Sequence, residues 1–270
     1  MDQRLPTVTK RSPRYPGRAV QARPPVTRAA LEAVSPSPMV QRGHAGDAAA
    51  ASVVRSVASP SREAWFARTV KRAIDLALLV PAVLVAVPLV LLGAIAVMIV
   101  SPGSPFFMQR REGLGGRTIE VWKLRTMYHD ADRLLERHLE ADPEAREEWQ
   151  RCFKLKRDPR LLPGIGSFLR RTSIDELPQL WSIAKGEMSF VGPRPFPEYH
   201  LAQFDPAFRT LRSSVLPGLT GLWQVSARSD GDLTVQQALD EYYVRNWSLW
   251  MDLTLIARTP LALLSSRGAY

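Results

Sequence analysis

One apolar run dominates the pattern of hydrophobic and polar positions along the chain. Leu76 to Val100 holds no charged residue, and about 20 apolar residues suffice for a helix to cross the hydrocarbon core of a bilayer. Basic residues flank both ends: Lys71 and Arg72 before it, then Arg110, Arg111, Arg117, Lys123 and Arg125 after it. A simple spanning helix leaves its Lys/Arg excess on the cytoplasmic side alone, so this pattern predicts that both ends stay inside. The run also contains Pro81, Pro88 and Gly93. Proline removes a backbone donor and kinks a helix, and broken backbone in lipid persists only where local groups satisfy it. The pattern predicts a kinked re-entrant helix that dips into one leaflet and returns. An ordinary single-pass anchor with kinks is the alternative.

Downstream the periodicity changes. Ser101-Pro102-Gly103-Ser104-Pro105 is a breaker. Phe106–Gln109, a turn with Gly113, Gly115 and Gly116, and Thr118–Lys123 read as a hairpin-like strand pair, with Ile119 and Val121 alternating against Glu120 and Trp122. From residue 128 to about 154, Leu134, Leu135, Leu139, Trp149 and Phe153 recur at helical spacing among interleaved charges, predicting surface helices broken at Asp142-Pro143. Helices are also predicted near Ile174–Lys185, stopped by Gly186, and over Val235–Arg245. Trp247–Leu264 suits either a membrane interface or a core helix. Trp65, Phe66 and Val70 form an amphipathic lead-in to the apolar run.

Charge sharpens this division. The net charge is +10, but residues 1–63 carry ten basic and four acidic residues, hence +6 of it. Residues 1–62, rich in Pro, Ala, Arg and Ser, read as a disordered basic tail. Such a tail is drawn to an anionic leaflet at about 1 kcal/mol per nearby basic residue. The rest of the chain is only modestly basic, so no nucleic-acid partner is expected. The single cysteine, Cys152, rules out an internal disulfide. No secretory signal pattern opens the chain.

The candidate chemistry lies in two short segments. In Arg170-Arg171-Thr172-Ser173-Ile174-Asp175-Glu176-Leu177-Pro178, Ser173 and Glu176 match a helix capping box, with Asp175 in the first turn, where the helix dipole favours negative charge. A helix start also binds phosphate, and carboxylates form covalent phospho-enzymes, so a nucleophilic Asp175 competes with plain capping. In Gly192-Pro193-Arg194-Pro195 the two prolines fix φ and stiffen the backbone that presents Arg194. Lys123, Arg125, Arg170, Arg194 and Arg228 are candidate phosphate binders. Asp175, Glu176 and Asp240 are candidates to share a magnesium ion, which takes one or two carboxylates and completes its shell with water and substrate phosphate. The four histidines lack zinc-ligand spacing. Neither a phosphate loop nor a GxGxxG motif occurs, which disfavours kinase, ATPase and nicotinamide chemistry.

Six segments occur in an order that resembles a known family. They are Lys71-Arg72…Asp75, Lys123-Leu124-Arg125-Thr126-Met127, Ser173 through Leu180, Lys185-Gly186-Glu187-Met188-Ser189, Val191 through Pro195, and Pro217-Gly218-Leu219-Thr220-Gly221. Over about residues 65–265 the chain is similar to the bacterial sugar transferases, the monotopic polyprenyl-phosphate phosphoglycosyl transferases. The resemblance implies an α+β, mostly helical membrane protein. A re-entrant lead-in over 63–105 would precede a cytoplasmic domain over 106–270 with interfacial C-terminal helices.

It further implies transfer of a sugar 1-phosphate from a UDP-sugar to undecaprenyl phosphate at the cytoplasmic face of the bacterial inner membrane, with release of UMP. Asp175 would be the nucleophile and Glu176 a Mg²⁺ ligand. Arg125, Arg170, Arg194 and Asp240 match active-site positions, and Pro88 matches the hinge. Two features set this chain apart. Val87-Pro88 stands where small members carry Ser-Pro, and no multi-helix membrane domain of the kind found in longer relatives is expected before Trp65. The insert from Tyr128 to Lys156 resembles the branch that starts exopolysaccharide or O-antigen chains with glucose or galactose. Membrane lipids are expected partners and a homodimer is allowed. A catalytically inert scaffold for polysaccharide assembly is the alternative function.

Overall fold

The computed structural model describes residues 62–152, 155–226 and 233–264; the basic tail and Arg228 lie outside them. Helix α1 spans Arg62–Val100. The strands β1 (Phe106–Glu112) and β2 (Thr118–Leu124) follow, then α2 (Ala131–Ala141) and α3 (Pro143–Cys152). Next come α4 (Ile165–Thr172), a 3-10 segment over Ile174–Gln179, α5 (Leu180–Ala184) and the short β3 (Ser189–Val191). The chain continues through α6 (Glu198–Leu201), α7 (Pro206–Ser213), β4 (Gly218–Thr220) and α8 (Leu222–Ser226). Helices α9 (Leu233–Asn246) and α10 (Leu249–Leu264) complete it. The result is the mostly helical α+β body expected, with β1 and β2 antiparallel and β3 and β4 parallel.

The long helix continues through both Pro81 and Pro88 as one element of 39 residues. Its inner stripe, Leu79, Ala82, Ala86, Val90, Ala94 and Val97, packs on the body at helical spacing. The opposite side exposes Val80, Leu84, Val87, Leu91, Ile95 and Ile99. Gly93 does not break the helix. A Cβ there would come within 2.7 Å of Leu124 Cδ1 and 3.3 Å of Leu169 Cδ2, so the glycine lets the helix sit close to β2 and α4. In the hairpin, Ile119 and Val121 are buried while Glu120 and Trp122 face outward, as the alternation predicts.

Asp142 starts α3 as expected. Its Oδ1 accepts from the backbone N–H of Glu144 (2.9 Å) and of Ala145 (3.1 Å). Leu135, Ala145, Trp149 and Leu155 form a small satellite core there.

Three polar side chains, Lys71, Arg72 and Asp75, tie the start of α1 to the body. Lys71 Nζ donates to Val191 O (2.9 Å) and to Asp252 Oδ2 (2.5 Å). Asp252 also accepts from Tyr243 Oη (2.8 Å) and Trp247 Nε1 (3.0 Å). One residue on, Arg72 donates to the carbonyls of Ile183 (2.6 Å) and Ala184 (2.9 Å), which end α5. Asp75 Oδ1 accepts from Ser189 Oγ and Phe190 N, both at 3.0 Å. The family-like Lys-Arg…Asp cluster therefore staples α1 to β3, α5 and α10.

This staple predicts a large effect from one substitution. Asp252→Ala leaves Lys71 as an uncompensated buried charge, which costs roughly 3–5 kcal/mol. The denaturation midpoint in detergent should fall accordingly, whereas Lys71→Met/Asp252→Leu removes both charges and should recover only part of the loss, because Tyr243 Oη and Trp247 Nε1 still lose Asp252 as an acceptor.

Candidate active site

The Asp175-Glu176 pair is set by its neighbours in sequence. Ile174 packs with Ala94, Val97, Leu124, Leu162 and Leu169, and Leu177 packs with Ala86, Ile119, Val121, Leu180, Ile183 and Met188. Two core clusters, both fed by α1, thus grip the chain on either side of the two carboxylates.

The predicted capping box does not form. Ser173 adopts a left-handed conformation (φ 56°, ψ 19°), ends α4 and makes no side-chain cap bond. It is the one residue other than glycine with positive φ among the described residues. Such a conformation costs of order 1–3 kcal/mol and clusters at functional sites. The segment after it is 3-10 rather than α because Pro178 sits within it. The predicted stop holds, with Gly186 at φ 77°.

Glu176 is claimed by two cations. Lys123 Nζ donates to Oε1 at 2.7 Å, Arg194 Nη1 donates to Oε2 at 3.2 Å, and Arg194 Nη2 donates to Oε1. Burial alone would raise the Glu176 pKa, but the charges of Arg194 and Lys123 outweigh it and hold the carboxyl far below its ordinary range. Asp175 behaves oppositely. It is 6% exposed, and no hydrogen bond to its carboxylate is found among the described residues. Burial, helped by the Glu176 carboxylate, raises its pKa to about 6 against the pull of Lys123, Arg170 and Arg194. Adjacent carboxylates are thus driven apart, one permanently ionised and one poised near neutrality.

Among the described residues, four cations surround this pair. Arg170 Nε donates to Thr126 Oγ1 at 3.0 Å while its charge acts on Asp175. Arg111 lines a small cleft with Val121, Lys123, Gln179, Arg194 and Pro195. Burial first, and then the neighbouring Arg194, lower its pKa to about 10. Burial also lowers the pKa of Lys123, against the attraction of Glu176. Arg111, Lys123, Arg170 and Arg194 against two carboxylates leave two positive charges in surplus, which suits a polyanionic ligand.

The proline strut is built as its sequence implies. Pro193 O accepts from Gly218 N (2.9 Å), Pro195 O from Arg111 Nη1 (2.5 Å) and Phe196 O from Glu112 N (3.1 Å). Arg194 O accepts from Arg212 Nη2. A Cβ on Gly218 would come within 2.0 Å of Gly192 N, so the β3–β4 approach behind the strut needs glycine.

Not every candidate joins the cluster. Arg125 turns away, donating to Ser101 Oγ (2.9 Å) and to Ser101 O, and thereby holds the end of α1. Asp240 pairs with Arg212 (3.0 Å) instead of joining the other two carboxylates. No group of three His, Cys, Asp or Glu residues suited to a metal is found among the described residues. Arg111 and Arg212 were missed by sequence reasoning. The hairpin register held a signal for the first: Arg111 pairs with Ile119 and Gln109 with Val121, so Arg111 shares the face of buried Ile119 and Val121 and of half-buried Lys123.

The chain matches the family model described as bacterial sugar transferase over residues 66–266. It is 44% identical over 201 residues to the exopolysaccharide production protein ExoY of Sinorhizobium fredii, covering 74% of this chain and 88% of that protein. It is 38% identical over 205 residues to the undecaprenyl-phosphate galactose phosphotransferase of Salmonella typhimurium, covering 75% of this chain but 42% of that protein. A third relative is the UDP-glucose:undecaprenyl-phosphate glucose-1-phosphate transferase of Caulobacter vibrioides, 38% identical over 192 residues, covering 68% and 65%. The match thus spans most of ExoY but less than half of the Salmonella protein.

The raised Asp175 pKa carries a stability signature. The folded state binds this proton more tightly than the unfolded chain, whose value is the ordinary 3.8. The contribution of Asp175 is therefore fully present below about pH 4 and is lost as pH rises through about 6. Asp175→Asn removes this loss. The variant should melt a few degrees above wild type at pH 8, and the gap should shrink as pH falls from 6 towards 4, as read by thermal scans at both ends.

Proposed function

The chain belongs to the bacterial sugar transferase family, and on that premise we propose that it is an undecaprenyl-phosphate sugar phosphotransferase. It moves a sugar 1-phosphate, glucose or galactose, from a UDP-sugar to undecaprenyl phosphate and releases UMP. This reaction starts an exopolysaccharide or related glycan. The observation that carries the reading is the split between the two carboxylates: Glu176 is held by Lys123 and Arg194, while Asp175 is buried, unclaimed and close to neutral pKa. The names of the Salmonella and Caulobacter relatives support the lipid acceptor and the hexose donor.

The chemistry follows from this split. An ionised Asp175 Oδ attacks the β-phosphorus of the UDP-sugar. The bond from that phosphorus to the α,β-bridging oxygen breaks, and UMP leaves with the oxygen. An oxygen of undecaprenyl phosphate then attacks the same phosphorus, and the Asp175 carboxylate departs. Each step exchanges one activated phosphoryl link for another, so no external ATP is required. Arg111, Lys123, Arg170 and Arg194 supply fixed positive charge to the phosphoryl oxygens, and such preorganised electrostatics dominate phosphoryl transfer.

Magnesium suits the donor set in kind, since Asp175 and Glu176 offer hard carboxylate oxygens. Both Glu176 oxygens accept from Lys123 or Arg194, so Asp175 and Glu176 would be the residues to hold such an ion, and Glu176 would share it with these two cations. The chemistry a bound ion would supply is neutralisation of diphosphate charge.

The membrane reading rests on α1. Its outer side is apolar and exposed along Val80 to Ile99, and Trp65, Phe66, Trp250 and Leu261 are exposed as well. Both ends of the apolar run are held by one body, through Lys71 and Arg72 at the start and through Ser101 bonded to Arg125 at the finish. That arrangement favours a helix that enters one leaflet and stays on the cytoplasmic face over a spanning anchor.

The decisive assay is UMP release by nanodisc-held protein with Mg²⁺, undecaprenyl phosphate and either UDP-glucose or UDP-galactose. Wild type should turn over one donor, and Asp175→Asn should lose at least about 10³-fold, as for loss of a nucleophile. Activity should decline below about pH 6, where Asp175 takes up its proton. Absence of release from folded wild type with either donor would return the scaffold alternative. Cysteines placed by Arg68→Cys and Arg110→Cys should label from the same side of the membrane; labelling from opposite sides would restore the single-pass anchor.

A further inference from the structure

Arg212 and Asp240 form an ion pair with side chains only 3% and 4% exposed. Arg212 Nε donates to Asp240 Oδ2 at 3.0 Å, its Nη2 donates to the carbonyl of Arg194, and its guanidinium lies 4.1 Å from the ring centroid of Phe196. Burying two charges costs several kcal/mol per ion, and the mutual attraction of a pair often fails to repay it. The arrangement makes sense through the bond to Arg194. That carbonyl belongs to the peptide that precedes Pro195, which has no N–H. Fixing the carbonyl fixes the backbone from which the Arg194 side chain leaves towards Glu176. The neighbouring carbonyls of Pro193 and Pro195 are fixed too, by Gly218 and Arg111. Arg212 closes the one position between them and, by stacking on Phe196, grips the strut on its far side.

We infer that Arg212 is a positioning residue that aims Arg194 at the phosphoryl site, and that Asp240 acts only by holding Arg212, not as a ligand of substrate or metal. The inference rests on the phosphate-binding role given to Arg194 above. It changes the role that family resemblance assigns to Asp240. That carboxylate faces Arg212 in a closed pair, and its pKa is raised by burial and only partly restored by the arginine.

The test separates positioning from mere support of the fold. Arg212→Met/Asp240→Leu removes both charges together, leaves no buried unpaired ion, and should keep the thermal midpoint close to wild type. It still removes the donor to the Arg194 carbonyl. A displacement of about 1 Å at a reacting site costs up to about 10²-fold, so kcat/KM for UMP release should fall by about 10- to 100-fold. Affinity for UDP, read by calorimetry without turnover, should fall by about 5-fold or more on the loss of a well-aimed phosphate contact. Arg212→Lys keeps a charge for Asp240 but lacks the fork that reaches both partners, and it should show the same loss if the double variant does not fold. Asp240→Asn keeps an acceptor for Arg212 and should leave the Mg²⁺ concentration for half-maximal rate unchanged.

Wild-type kcat/KM and UDP affinity in a stable double variant would reduce the pair to a structural one and overturn the inference. A shift of about 10-fold in the Mg²⁺ requirement of Asp240→Asn would overturn it from the other side, by making Asp240 a metal ligand. Wild type that binds UDP but releases no UMP would sink the reaction reading instead, and the calorimetric comparison would still decide the role of Arg212.

Discussion

Two adjacent carboxylates, buried Asp175 and half-buried Glu176, share a site that cannot leave both charged without nearby cations. Desolvation disfavours the ionised form of each, and each disfavours the other. The surrounding fold answers this constraint. Lys123 arrives from β2, Arg194 from the proline strut and Arg170 from α4, and Arg111 stands across the hairpin. Of the two carboxylates, Lys123 and Arg194 bond Glu176. The asymmetry that results separates the roles: a carboxylate locked in its charged form, and a neighbour whose reactivity is set by burial.

A rigid backbone makes this asymmetry durable. The strut through Pro193, Arg194 and Pro195 has its carbonyls paired one after another, and β3 and β4 meet behind it at glycines too close for any Cβ. On the other side, Ile174 and Leu177 sink into separate core clusters and hold the dyad between them. The strained Ser173 between α4 and the 3-10 segment is sustained by this grip. Positioning of this kind is what phosphoryl transfer demands, since the protein contributes geometry and charge rather than new bonding.

The apolar helix belongs to the same construction. α1 supplies residues to both clusters that fix the dyad, and Lys71 donates to the carbonyl of Val191, one residue before the strut begins at Gly192. Its outer face is free for lipid while its inner face is part of the catalytic core. The exposed apolar face suited to a membrane and the packing that fixes the Asp175-Glu176 pair therefore share one element.

Features that depend on near neighbours could be read from the chain. The apolar run, the alternating hairpin, the break at Asp142-Pro143, the stop at Gly186 and the stiff Pro-Arg-Pro segment were all legible, because periodicity and turn chemistry act over a few residues. The ordered motifs pointed to the family and to the Asp175-Glu176 pair. Which charges meet was settled by the packing of distant elements. Ser173 and Glu176 had the spacing of a capping box, yet Glu176 turned to Lys123, 53 positions away, and to Arg194, 18 positions away. Arg125 went to the end of α1, Asp240 to Arg212, and Arg111, placed by the hairpin register and not by a motif, entered the cleft. The reason is physical: a buried charge is stabilised by whichever opposite charge or acceptor the topology brings within about 3 Å, and that distance is fixed by the packing of whole elements, not by the spacing of residues along the chain.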